Sequence, residues 1–257
     1  MDPVVAPLLV SGERCDACID GISPPFEFSM AFQPVVDLAA GRIYAYEALV
    51  RGPANEPATT VLGKVTLANR YAFDQSCRVK AVGLASQLGM QQTEASLSIN
   101  FMPGAMYRPE HCVLPTLAAA RRHQFPANRL IFELTENEQI TDYAHLKRIF
   151  QVYRGHSFRT ALDDFGSGFC RLGLLAHFQP DLVKLDMSLL RGLDADACRH
   201  AVVDGIIGIC RALSIQVVAE GVETAAELAA LHALGVSLFQ GFLFAKPVFE
   251  ALPTVEF

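Results

Sequence analysis

The sequence predicts an α/β barrel in which one strand runs antiparallel to the others. After residue 28, short apolar runs alternate with longer helical stretches and give eight strand candidates. The first two runs are joined by a short turn, 37–42, that contains Gly41, as a hairpin requires. The later runs are separated by segments long enough for crossover helices, which implies mainly parallel pairing. A chain of 257 residues matches the roughly 250 that a single barrel of this kind occupies. A doubly wound open sheet is the second reading, because counting strands does not show closure.

Residues 1–28 carry Pro3, Pro7, Gly12, Gly21, Pro24 and Pro25 without sustained periodicity, and read as an N-terminal extension ahead of one domain, 29–257. The strand candidates are 30–36, 43–50, 97–101, 130–134, 160–164, 182–185, 216–219 and 237–242. Between the sixth and seventh, Val202, Ile206, Ile209 or Cys210, and Leu213 recur at helical spacing and predict a buried helix face. Thr224-Ala225-Ala226-Glu227 is a capping box that opens the next helix. Residues 228–245 contain no Asp, Glu, Lys or Arg, but Gly235 splits them into a short helix and a strand. They read as core, not as a membrane span.

Composition narrows the function classes. The chain is 51% hydrophobic and 19% charged, which excludes disorder. A formal net charge of −6 leaves no general cationic field to hold duplex nucleic acid. The seven cysteines are scattered and odd in number, and the acidic start lacks a basic signal region, so a cytoplasmic location is expected. Cys15 and Cys18 form a lone Cys-x-x-Cys pair, too few ligands for a tetrahedral zinc site without partners.

What ends each apolar run carries the chemistry. The runs contain or meet Glu47, Asn100, Glu133, Asp163-Asp164, Lys184 with Asp186, Glu220 and Gln240 in turn. One polar residue at a strand end is ordinarily a solvated loop residue. Repeated at successive strand ends of a barrel, such residues converge on one mouth. Clustered carboxylates repel and need cations or protons to coexist. Their oxygens, with the Asn carbonyl, are hard donors suited to Mg²⁺, Mn²⁺ or Ca²⁺. Two such ions about 3.5–4 Å apart are the usual apparatus for in-line phosphodiester hydrolysis. Asp163 and Asp164 offer a bridge and a second ligand. Lys184 is placed to orient hydroxide or neutralise phosphoryl charge.

These residues fall in ordered motifs that resemble the EAL-domain family of bacterial cyclic di-GMP phosphodiesterases. Glu47-Ala48-Leu49 with Val50-Arg51-Gly52 carries the signature, and Phe32-Gln33-Pro34 precedes it. Asn100-Phe101-Met102-Pro103, Glu133-Leu134-Thr135-Glu136, Asp163-Asp164-Phe165-Gly166 and Lys184-Leu185-Asp186 follow. Glu220-Gly221-Val222-Glu223, then Gln240-Gly241-Phe242 and Lys246-Pro247, complete the set over about residues 30–247.

The resemblance implies a modified TIM (β/α)8 barrel, a homodimer, and hydrolysis of cyclic di-GMP to linear pGpG with two Mg²⁺ or Mn²⁺ ions. It implies one metal held by Glu47, Asn100, Glu133 and Asp163, and a second by Asp163, Asp164 and Glu220. Lys184 would contact the attacking water, Glu136 would hold the Gly-rich loop, and Glu223 would support the site. Gln33, Leu49, Arg51, Asp186, Gln240 and Pro247 would line the nucleotide's path. The sequence departs from the family at Met102, where serine is usual, and at Cys170 and Arg171, where small residues are usual. With no cyclase signature or sensor domain beside it, a stand-alone EAL domain is expected. A receptor that binds the same nucleotide without turnover, and a Mg²⁺-dependent lyase using Lys184 as base, are the competing functions.

Overall fold

The structure, a computed structural model, describes residues 24–134, 142–167 and 172–257. In chain order these form β1 (Ser29–Asp37), β2 (Arg42–Arg51), α1 (Ala58–Leu62), α2 (Arg70–Gln87), β3 (Ser96–Phe101), α3 (Pro109–Cys112) and α4 (Leu114–Arg122). Then come β4 (Leu130–Leu134), α5 (Tyr143–Gly155), β5 (Arg159–Phe165), α6 (Leu172–His177), β6 (Leu182–Leu185), α7 (Met187–Leu190) and α8 (Ala197–Ala212). The chain ends with β7 (Gln216–Ala219), α9 (Ala225–Ala233), β8 (Leu238–Phe239) and β9 (Val248–Phe249).

Strands β2 to β8 lie side by side in sequence order, and β1 pairs with both β8 and β2, so the sheet closes. Closure decides for the barrel and against the open sheet. β1 is antiparallel to both neighbours, whereas the pairs from β2 to β8 are parallel. The hairpin turn places Gly41 at φ 60°, the left-handed region that glycine reaches without strain. The expected modified TIM barrel is therefore observed.

Side chains alternate across each strand, so a closed sheet has an inner and an outer set. Outward residues pack under the helices as one large core that includes Phe32, Leu97, Phe132, Val183 and Phe239. Inward residues stack in layers. On the floor, Arg159 donates to Tyr44 Oη at 2.6 Å and to Ser96 Oγ, and Tyr44 donates to Gln216 Oε1 at 2.8 Å. Above it Val35, Ala45, Ile131, Ala161, Leu182, Val218 and Leu238 form a small apolar plug. The next inward positions, toward the C-terminal strand ends, are the polar ones. The apolar plug above that floor separates them from it and leaves them open toward the C-terminal strand ends.

Three expectations need correction. In α8 the buried face is Val203, Ile206, Ile207 and Cys210, while Val202 (53%), Ile209 (40%) and Leu213 (38%) are exposed. The helix carries two overlapping apolar stripes, and the sheet takes the other one. The strand expected over 237–242 keeps ladder pairing only at Leu238–Phe239. After Gln240 N–H bonds to Ala219 O at 2.8 Å, Gly241 turns against the backbone of Val222, too close for any side chain. Finally β9, which no periodicity announced, pairs antiparallel with Ala31 and Phe32 on β1. The capping box at Thr224 and Glu227 is present with both its hydrogen bonds. Cys15, Cys18, Glu136, Cys170 and Arg171 lie outside the described residues.

Candidate active site

Lys184 stands at the centre of the inward polar layer. Its ammonium meets Glu47 Oε2 at 3.2 Å, Glu133 Oε2 at 2.9 Å, Asp163 Oδ1 at 2.9 Å and Glu220 Oε1 at 2.7 Å. Strands β2, β4, β5 and β6 supply one residue each and Glu220 follows directly on β7, because a period of two carries the inward polar set to the same height around the barrel. Four carboxylates around one ammonium leave an excess of negative charge in a buried place, which is expensive unless further cations or protons join.

The titration directions express that excess. Burial drives Glu133 and Glu220 well above the ordinary carboxylate range despite Lys184, and it raises Asp163 as well. Burial pushes Glu47 the same way, but Lys184 and the amides of Gln240 and Asn100 outweigh it and hold that carboxyl low. Burial alone would discharge Lys184; Asp163, Glu133, Glu220 and Glu47 keep it protonated far above its usual range. Asp164, half-buried beside Asp163 and Asp186, is pushed up to about 6. It takes φ 54°, an uncommon conformation for a residue with a side chain. That turn brings Asp163, Asp164 and Glu220 within 4.8 Å of one another, as Glu47, Glu133 and Asp163 are. Asp163 alone belongs to both groups.

The donor set fits a hard cation. Every ligand atom is oxygen. Asn100 spends its amide N–H on Glu47 Oε1 at 3.0 Å, and this leaves its carbonyl Oδ1 buried with no hydrogen-bond partner. An orphaned carbonyl beside surplus carboxylates is a place where a cation is missing its shell. Glu47, Asn100, Glu133 and Asp163 could hold one ion and Asp163, Asp164 and Glu220 a second.

Architecture and site can now be set beside known proteins. A profile of the EAL domain matches residues 25–247. The chain belongs to the EAL family. Among solved structures, this EAL chain is similar to a standalone versatile EAL protein from Vibrio cholerae O395 in its c-di-GMP-bound form. The identity is 50% and the TM-score 0.87, over 91% of this chain and 98% of that one. It is also similar to Klebsiella pneumoniae BlrP1 in a manganese and cyclic di-GMP complex at pH 6. There the identity is 33% and the TM-score 0.83, over 90% of this chain and 58% of that one. The blue light- and temperature-regulated antirepressor BluF of Escherichia coli (strain K12) is 30% identical over 245 residues, 95% of this chain and 60% of BluF. The cyclic di-GMP phosphodiesterase PdeR of the same strain is 38% identical over 125 residues, 49% of this chain and 18% of PdeR. The chain thus spans less than two thirds of the length of these curated relatives.

The remaining expected residues of the EAL site divide into two groups. Gln240 joins the cluster, donating to Glu47 Oε2 at 2.7 Å and to Gln33 Oε1 at 3.3 Å, while Gln33 donates to Ala245 O at 3.2 Å. Leu49 and Arg51 continue the β2 rim above Glu47 and are half-buried, with Arg51 donating to Val50 O at 2.8 Å. Asp186 caps α7 by accepting from Ser188 N–H at 2.8 Å and faces Asp164. Pro247 is half-buried between β8 and β9. Glu223 stands apart: it pairs with Arg191 at 3.0 Å, and its neighbour in that contact is Glu227, not a candidate ligand. Phe242 is 54% exposed, with Lys246 Nζ 5.3 Å from its ring centroid.

Two groups escaped the sequence. Ser98 donates to Glu133 Oε1 at 2.5 Å. Asp74 on α2 accepts Met102 N–H at 2.8 Å just past Asn100, and pairs with buried Arg78 at 2.8 Å. A serine within an apolar run and an i, i+4 ion pair on a helix are common in any sequence. Only the interior-facing period of β3 could have singled out Ser98.

Proposed function

We propose that this chain hydrolyses cyclic di-GMP to linear pGpG with the help of two divalent cations. The observation that carries the reading is the complete set of Glu47, Asn100, Glu133, Asp163, Asp164 and Glu220 around a protonated Lys184, in a family whose relatives include a cyclic di-GMP phosphodiesterase. In the reaction a water oxygen bonds to phosphorus as the bond to O3′ breaks, and the water's proton ends on the departing oxygen. Divalent ions, when bound, acidify a water and neutralise phosphoryl charge. The geometry supports the following part for the protein's own residues. Lys184, held charged by its four partners, cannot act as a base; its Nζ–H groups hold the attacking oxygen and stabilise charge growing on the phosphoryl oxygens. Asp163, common to both carboxylate groups, would serve both ions. Gln33, Leu49, Arg51, Asp186, Gln240 and Pro247 guide the nucleotide along the rim, with Arg51 offering a fork to phosphate or a plane to guanine.

Purified protein incubated with cyclic di-GMP and Mg²⁺ or Mn²⁺ should yield pGpG by chromatography. Product should fall at least about a hundredfold in Glu47→Ala and Asp163→Asn with circular dichroism unchanged, and vanish with chelator. Lys184→Ala should lower turnover more than nucleotide binding. Similarity to an antirepressor over most of the chain favours one second reading, a nucleotide receptor that signals through protein contacts. Tight binding without product would select it. Sedimentation of the same preparation tests the homodimer that belongs to the first reading.

A further inference from the structure

We propose that Ser98 is a positioning residue that fixes the carboxylate of Glu133 for cation binding, an inference that rests on the metal-dependent reading above. Ser98 lies on β3 opposite Glu47 of β2, points into the barrel, and is 1% exposed. Its Oγ donates to Glu133 Oε1 at 2.5 Å, while Lys184 takes Glu133 Oε2 at 2.9 Å. Once Glu133 gives up its proton to ligate a cation, its carboxylate can only accept, so in that state the Ser98 hydroxyl is the donor and its direction is set. The two contacts pin both oxygens of a side chain that otherwise has three torsions free.

Little room is left beside the hydroxyl for solvent to take over this task. The void bounded by Ser98, Glu133, Lys184 and Ala45 measures about 10 Å³. A water needs at least roughly 10–15 Å³ and two or more polar partners. Below lies the apolar plug, which offers none. Removing the hydroxyl therefore leaves Glu133 Oε1 without a donor and the carboxylate free to turn. Donors that orient a ligating carboxylate carry about 10–100-fold in metal affinity in other sites.

Ser96 supplies the control. It sits on the same strand and the same inner face, is equally buried, and binds Arg159 on the floor instead of a candidate ligand. The test is a calorimetric titration of the purified chain with Mn²⁺ and no nucleotide present, for wild type, S98A, S98T and S96A, with metal-free melting temperatures alongside. The expected result is Mn²⁺ affinity weakened about 10–100-fold in S98A, restored in S98T, and changed by less than about twofold in S96A. Should S98A not fold, S98C replaces it, since a thiol keeps the volume but donates weakly. Wild-type affinity in S98A or S98C would overturn the proposal, and so would equal losses in S98A and S96A. A wild-type protein that binds no Mn²⁺ would instead remove the metal-dependent reading and this inference with it.

Discussion

Lys184 brings one positive charge to four carboxylates between 2.7 and 3.2 Å away, and the imbalance fixes how the site should respond to pH. A carboxyl raised by burial must release its proton before it can ligate a cation, so protons and metal compete. Asp164, at about 6 against an ordinary 3.8, is mostly protonated below pH 6 and mostly free above it. Glu133 and Glu220 are displaced in the same direction. Mn²⁺ affinity should therefore rise with pH through this window, and Asp164→Asn should flatten part of the slope. Titrations at pH 5.5, 6.5 and 7.5 check this; a flat profile in the wild type would refute the competition. The clustering of these carboxylates was legible in sequence, because each stands at or near the end of an apolar run and a barrel gathers such ends. Glu223 shows the limit of that reading. It follows Glu220 by three residues, but the turn at Gly221 sends it outward to Arg191.

Between residue and molecule, the short helix α7 governs two strand ends at once. Gly166 after β5 and Gly221 after β7 both adopt positive φ, 99° and 63°. A Cβ on Gly166 would meet Leu189 Cδ1 at 2.1 Å, and one on Gly221 would meet Met187 Cβ at 2.6 Å. One turn of helix thus rests on bare backbone beside the strands that present Asp163, Asp164 and Glu220. Gly221→Ala should cost about 1–3 kcal/mol from strain and overpacking and should also weaken Mn²⁺ binding, because Glu220 is its neighbour. Thr224→Ala, three residues on, removes the cap of α9 and should cost about 1 kcal/mol while leaving Mn²⁺ affinity intact. Urea unfolding and Mn²⁺ titration of the two variants separate fold from site; matching metal affinities would contradict the clamp. Elements with a strong period or cap were legible in advance. The stripe that α8 buries was not, since apolar residues on both faces satisfy the same spacing and only the sheet's curvature chooses between them.

Across the whole molecule, the barrel's outer layer contains one buried ion pair whose reach exceeds its size. Arg78 pairs with Asp74, donates to Cys112 O at 2.9 Å and to Thr116 Oγ1 at 3.2 Å, while Asp74 holds Met102 N–H. It joins α2, α3, α4 and the exit of β3. Breaking such a pair strands a charge in the core. Arg78→Met should destabilise by about 3–5 kcal/mol, and the double variant Asp74→Leu/Arg78→Met by less, measured by denaturant unfolding. A double variant worse than the single would show that the hydrogen bond to Met102 matters more than the charge.

The reversed strand β1 has a topological consequence of its own. In an all-parallel barrel the first strand would start at the sealed floor. Here Ser29 starts beside Arg51 at the open rim, and Glu250, just past β9, returns to bond with Ser29. Both ends of the barrel's covalent thread are therefore knotted beside its mouth, while the floor is spanned only by the β1–β2 turn and by helix-to-strand connections. A tether fixed to either end of the barrel would act first on the rim that carries the carboxylates.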